Sequence, residues 1–227
     1  MARLITSTPK SPPENLSSLK PLIEPVTGTW YRVTRRLHSK DVHFFSMSEA
    51  NRFSSSTAKF GVSYYGATPE AAFSESVRSS ARIDSDKLNG PILEDLDLHE
   101  VTISVNDTEA SENGAIALYS TGCERIRAKL EYFCVSTRDG YIISQEWGRA
   151  LMHLTVPHCG LLYQANNAGD LCFGLYGQQG GKGAQARLAK GLELKKVRSF
   201  PLLESYAFLQ WVRDCSYSIA YRATDVG

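Results

Sequence analysis

The stretch "RFSSSTAKFGVSYYGATPEAAFSES", residues 52 to 76, runs from a lone arginine through an apolar segment with two tyrosines to a glutamate. "FGVSYYGA" (60–67) reads as a short strand buried on both sides, rich in aromatic and β-branched residues. Thr68-Pro69-Glu70 then supplies an N-cap, a proline at the first helical position and an early acid. A helix is therefore expected from Pro69 to about Ala81, with Phe73 and Val77 four apart on its core stripe. At roughly 100 degrees per residue, Glu75 lies about 200 degrees round from Phe73, on a side shared with Ala71, Ala72 and Ser79. Small neighbours there would let another surface or a ligand come close.

Outward from this unit the chain alternates irregularly. "TWYRVTRRL" opens the folded part as a strand, and "HEVTISVND" (99–107) alternates as another. "CERIRAKLEYF" (123–133) and "SQEWGRALMHLT" (144–155) carry helical spacing, the second with Trp147, Leu151 and Leu154 in register. "GLLYQANN" and "DLCFGLYG" read as two strands joined by a turn at Asn167-Ala168-Gly169. A strand near "LELKKVRSF" and a helix near "PLLESYAFLQWVRDC" close the domain. Strands and helices without regular βαβ alternation predict an α+β fold with a compact mixed sheet. Residues 1–27, rich in Pro and Ser, read as an N-terminal arm, and 28–227 as a single domain.

Composition excludes several classes. Twenty-five basic against twenty-four acidic side chains leave +1, without the basic stripe of a duplex binder, so no nucleic-acid partner is expected. The N-terminus lacks a continuous apolar core, and no segment reaches the length of a membrane span. A soluble, cytoplasmic protein follows, unless it is delivered into another cell's cytoplasm. Five cysteines without a CxxC pair suit reduced thiols, and the scattered histidines offer no zinc spacing, so no metal is expected. "GQQGGKG" (177–183) leaves three residues where a phosphate loop needs four before Gly-Lys, and reads as a plain loop.

The polar residues allow two readings when taken singly. Arg32 alternates with Tyr31 and Val33 inside a strand, so it faces either a concave sheet surface or water. Glu75 has Arg78 three residues on, a spacing that suits an ordinary helix-surface ion pair.

Together, "WYRV", "RFSS" and "GVSYYGATPEAAFSE" have the order and spacing of the RES domain, a family named for its Arg, Glu and Ser residues and found in toxins that consume NAD. The chain resembles that family over about residues 29–178. "SQEWGRALMH" and "CGLLYQANNAGDLCFGLYG" are similar to its closing helix and strand pair. The resemblance implies a fold like that of ADP-ribosyltransferases, NAD as substrate, and a neutralising antitoxin or immunity protein over the site. It implies Glu75, Arg52 and Tyr64 as catalytic residues, and Arg32, Arg52, Tyr64 and Asn166 as NAD-binding residues. In the family the closing strand ends near Tyr-x-Ser-Arg. Here Ala165 and Asn166 stand at the Ser and Arg positions, so that hydrogen bonding falls to Asn166, Gln164 or Ser144, or the chemistry is weakened.

On this reading Glu75 meets the ribose, the arginines meet the pyrophosphate, and Tyr64 holds the nicotinamide or ribose. Removing Glu75 is expected to abolish turnover with folding nearly intact. The acceptor is water, phosphate or a protein side chain. The first two make an NAD glycohydrolase or phosphorylase, and the third an ADP-ribosyltransferase. A degenerate nucleotide-binding module without turnover is the alternative class, and a homo-oligomer is compatible with either.

Overall fold

The computed structural model describes residues 11–40, 45, 51–53, 60–84, 86–105, 114–134, 141–156, 158–164, 169, 171–178 and 192–221. Eleven strands and five helices are found among them, in the order β1 (Ile23–Glu24), β2 (Gly28–Arg35), β3 (Phe60–Gly66), α1 (Pro69–Ser80), β4 (Arg82–Asp84), β5 (Lys87–Asn89), α2 (Gly90–Glu94), β6 (Leu96–Val105), β7 (Ala115–Ala117), α3 (Ser120–Arg125), α4 (Tyr141–Met152), β8 (Gly160–Gln164), β9 (Leu171–Gln178), β10 (Leu192–Pro201), α5 (Tyr206–Asp214) and β11 (Ser218–Ala220). This is the expected mix of strands and helices.

Eight strands form one mixed sheet in the order β1-β7-β8-β9-β3-β2-β6-β10, and β11-β5-β4 form a small second sheet. Within the large sheet β7 and β8 run parallel, and every other neighbouring pair is antiparallel. The joint between β2 and β3 differs from the rest. β2 pairs with β6 over its whole length, and β3 with β9 likewise. β2 and β3 meet only where Tyr31 faces Gly66. Past that point Arg32–Arg35 and Val62–Tyr65 diverge, and the sheet opens into a cleft between its two halves.

Helix α1 bridges this opening by packing on both β2 and β3. Its start is fixed locally: Thr68 Oγ1 accepts the Ala71 N–H at 3.1 Å, and Pro69 occupies the first helical position. Gly66 lets the strand turn tightly into the helix, because a Cβ there would sit 2.4 Å from the Ala72 nitrogen. Phe73 and Val77 are fully buried, and Phe73 meets Phe208 and Trp211 of α5 edge-on or tilted. The segment before β2 joins the cores, with Leu16 and Val26 buried.

The helix expected over 123–133 is broken. α3 ends at Arg125, Arg127 adopts a left-handed φ of 57°, and a 3-10 turn follows at Leu130–Tyr132. Packing overrides the periodicity here. Tyr132 and Phe133 both reach the Trp147 ring, and Phe133 also meets Phe53, an approach that needs a change of chain direction. α4 begins three residues earlier than its pattern suggests, and Leu154 falls beyond its end.

Candidate active site

The cleft at the opened joint holds two adjoining cavities. One, of about 200 Å3, is lined by Val33, Asn51, Arg52, Tyr64, Glu75 and Tyr141 among others. The other, of about 320 Å3, is lined by Arg32, Arg35, His38, Val62, Tyr64 and Ser76 among others. Val33, Thr34, Arg35, Asn51, Tyr64 and Ser76 form walls of both.

Arg52 and Glu75 form the charged centre of the smaller cavity. Arg52 Nη1 lies 3.6 Å from Glu75 Oε2, and the two side chains are only 3% and 9% exposed. So deep a pair is held by attraction in a medium of low polarity. Burial alone would lower the Arg52 pKa, but the nearby Glu75 carboxylate outweighs it and raises the pKa. The guanidinium carbon sits 5.4 Å from the Tyr163 ring centre and 6.0 Å from that of Phe53, so aromatic faces cradle the cation. Burial first, and then the nearby Glu75 carboxylate, push the Tyr163 hydroxyl pKa well up, so its ring is a neutral seat for the cation.

The segment carrying Arg52 is clamped from two sides. The Phe53 N–H donates to Tyr64 Oη at 3.0 Å, and Gln145 Nε2 of α4 donates to the Asn51 carbonyl at 2.8 Å. Gly148 of α4 lets that helix approach, because a Cβ there would lie 3.0 Å from the Phe53 carbonyl oxygen. Tyr64 thus couples β3 to the arginine segment while lining both cavities.

Arg32 occupies the inner face of β2, 5% exposed, with its guanidinium carbon 5.5 Å from the Tyr65 ring centre. Its register partner across the sheet is His99. His99 Nε2 and Thr34 Oγ1 share a hydrogen bond at 2.8 Å. Burial, followed by the charges of Lys196 and Arg32, pushes the His99 imidazole pKa down to about 4.

The structure therefore brings Arg32, Arg52, Tyr64 and Glu75 into one cleft. Asn166 and Ala165 lie outside the described residues, as do most of the Gly-rich loop and the Arg78 side chain. Ser144 is removed from the three substitutes for the family serine, because its buried hydroxyl donates to the Tyr132 carbonyl at 2.7 Å. The expectation that Glu75 can be removed with little effect on folding is corrected, since its carboxylate compensates a buried guanidinium. Among the described residues no three His, Cys, Asp or Glu side chains group as a metal site. All five cysteines are free thiols, and among the described residues no helix is long and apolar enough to cross a membrane.

The RES-domain family model matches residues 29–197, which is well over half of the chain. The chain belongs to the RES-domain family. No curated protein matches it. All four cleft residues lie inside the matched span, whereas β1 and α5 lie outside it. RES-domain membership is consistent with an NAD-related toxin or effector role and with NAD use in general.

Sequence reasoning missed Tyr163 as the ring beneath Arg52, and Tyr141 and Asn51 as cavity walls. Asn51 had a signal in its adjacency to Arg52. Tyr163 had one as the tyrosine of the family's Tyr-x-Ser-Arg strand end, whereas Tyr141 had none, because it arrives from an element far along the chain.

Proposed function

We propose that this RES domain cleaves the nicotinamide–ribose bond of NAD and so depletes it, as a glycohydrolase or phosphorylase on a fold related to ADP-ribosyltransferases. One observation carries the reading: a carboxylate and a guanidinium, buried together on a cavity wall, with a second guanidinium across the same cleft.

The chemistry asks for such groups. The C1–N bond of the ribose breaks with its electron pair going to the pyridinium nitrogen, so nicotinamide leaves neutral and needs no general acid. Positive charge builds on the ribose through an oxocarbenium-like transition state. Glu75 stabilises that charge and accepts hydrogen bonds from ribose hydroxyls. Arg52 orients Glu75 from 3.6 Å, and Tyr64 bounds the space in which the ribose sits. Water as acceptor gives ADP-ribose, nicotinamide and a proton. Inorganic phosphate gives ADP-ribose 1″-phosphate and nicotinamide.

The test is release of nicotinamide from NAD by pure protein, with Glu75→Gln as control, followed by mass analysis of the second product with and without phosphate. Loss of release in the variant supports the reading. Equal release by wild type and variant overturns it. A second reading follows from Ala165 at the family's serine position: tight NAD binding without release makes the protein a nucleotide-binding module. Transfer of label from NAD to protein would instead indicate an ADP-ribosyltransferase. Since NAD depletion harms its own cell, an antitoxin or immunity protein covering the cleft belongs to this proposal, as does action in a cytoplasm.

A further inference from the structure

The contact between Arg52 and Glu75 is an ion pair and not a hydrogen bond. At 3.6 Å, Arg52 Nη1 and Glu75 Oε2 stand beyond hydrogen-bond reach of each other. Arg52 Nε and Nη1 are buried and donate to no acceptor among the described residues. Buried donors are nearly always paired, and an exception points to a water, an ion or a ligand. Packing maintains the spacing: the Tyr163 and Phe53 rings flank the guanidinium, while Gln145 and Tyr64 hold the backbone on either side of Arg52. Both members of the pair line the smaller cavity.

We propose that a hydroxyl of the nicotinamide ribose bridges this pair, accepting from Arg52 and donating to Glu75, so that Arg52 reads the sugar and not the diphosphate. The inference rests on reading the cleft as an NAD site, and it gives Arg52 a substrate atom of its own. A hydroxyl fits the pair because it has one O–H to donate and lone pairs to accept. Two atoms 3.6 Å apart can both lie about 2.8 Å from one oxygen, so the bridge needs no displacement of either side chain along their line. A phosphate oxygen could take the same Arg52 donors, but it would bring negative charge against the buried Glu75 carboxylate beside them. The hydroxyl adds no charge. It also ties the carboxylate to the guanidinium at the sugar whose C1 becomes positive, so ribose binding and the placing of Glu75 become one event.

The probe is carbocyclic NAD, whose nicotinamide ribose has a methylene in place of the ring oxygen and so cannot reach the oxocarbenium-like state. Calorimetry on the full chain compares it with its 2″-deoxy and 3″-deoxy forms. Wild type should bind one of the deoxy forms about thirtyfold or more weakly, since two hydrogen bonds to charged groups are lost. Arg52→Lys keeps a cation opposite Glu75 but not the guanidinium's donors, and should shrink that discrimination about fivefold or more while ADP affinity stays within about twofold. Equal affinity of the wild type for all three ligands overturns the bridge, and this arm needs no variant to fold. Loss of ADP affinity in Arg52→Lys with the discrimination kept also overturns it, by placing Arg52 at the phosphates, as does failure of the wild type to bind carbocyclic NAD. The outcome is separable from the activity. Discrimination that depends on Arg52, with no nicotinamide release from NAD, sinks the NAD-cleaving reading alone. Nicotinamide release without discrimination sinks the bridge alone.

Discussion

Glu75→Gln should damage the fold as well as the chemistry, by an amount that the Arg52 contact sets. At 3.6 Å and an effective dielectric of about 20, the attraction between the two charges is about 4–5 kcal/mol. Both side chains are less than one-tenth exposed, so solvent screens little of it. Removing one member of such a pair leaves a buried charge uncompensated and typically costs about 3–5 kcal/mol. Glutamine keeps a polar carbonyl beside the guanidinium, which puts the expected loss near the lower bound, about 3 kcal/mol. For a chain of this size that lowers Tm by about 6–12 °C. Arg52→Met in the Glu75→Gln background should restore much of it, because neutral groups of similar volume often replace a buried pair without loss. Thermal and urea unfolding of wild type, both single variants and the double variant give the coupling energy directly, and at least about 2 kcal/mol is expected. A Glu75→Gln Tm within about 2 °C of wild type, or single-variant losses that simply add, would refute the reasoning. Nicotinamide release, assayed well below the variant Tm, should meanwhile fall on the order of a thousandfold, the scale of losing one charge-stabilising group in a transition state.

Three further outcomes test other parts of the structure. Tyr64→Phe removes the hydroxyl that accepts the Phe53 N–H; it should cost about 1 kcal/mol in urea unfolding and lower the NAD cleavage rate disproportionately, since the Arg52 segment loses one of its clamps. Gly66→Ala puts a methyl group against the Ala72 nitrogen and the Thr68 carbonyl, both backbone, so loss of more than about 3 kcal/mol or failure to accumulate folded protein is expected on expression. His99, with its pKa pushed down to about 4, stays neutral in the folded chain while the unfolded chain takes up its proton near its ordinary 6.5. The stability it confers is present above about 6.5 and is lost as pH falls toward 4, so between pH 7 and 5 wild type should lose about 2 kcal/mol more than His99→Gln in denaturant unfolding.

The parts legible in the sequence were those set by near neighbours along the chain. Thr68, Pro69, Phe73 and Val77 determine where α1 begins and which stripe it buries, and each acts within one or two turns. The break at Arg127 was illegible, because the rings that demand it, Trp147 and Phe53, come from elsewhere in the chain. The opening between β2 and β3 was equally hidden: the strands are identifiable one by one, but nothing in either states that they meet at a single pair. Glu75 lies between these cases. On the helical wheel it stands far from Phe73, where an isolated amphipathic helix would face water, yet it is 9% exposed. The reason is that α1 is covered on more than one side, by β2 and β3, by α5 and, at Glu75, by Arg52. A helix covered in this way has little room for a polar stripe, and the small residues near Glu75 are themselves buried, Ala71 in the cluster of Phe53 and Ala72 in that of Phe73. A lone charge on such a side requires an opposite charge from another element, because burial without one costs several kcal/mol. Small residues around a single acid were therefore a sign that some distant cation must be its partner. What the sequence could not say on those grounds alone was which arginine, and the coordinates answer with Arg52, seated on Tyr163.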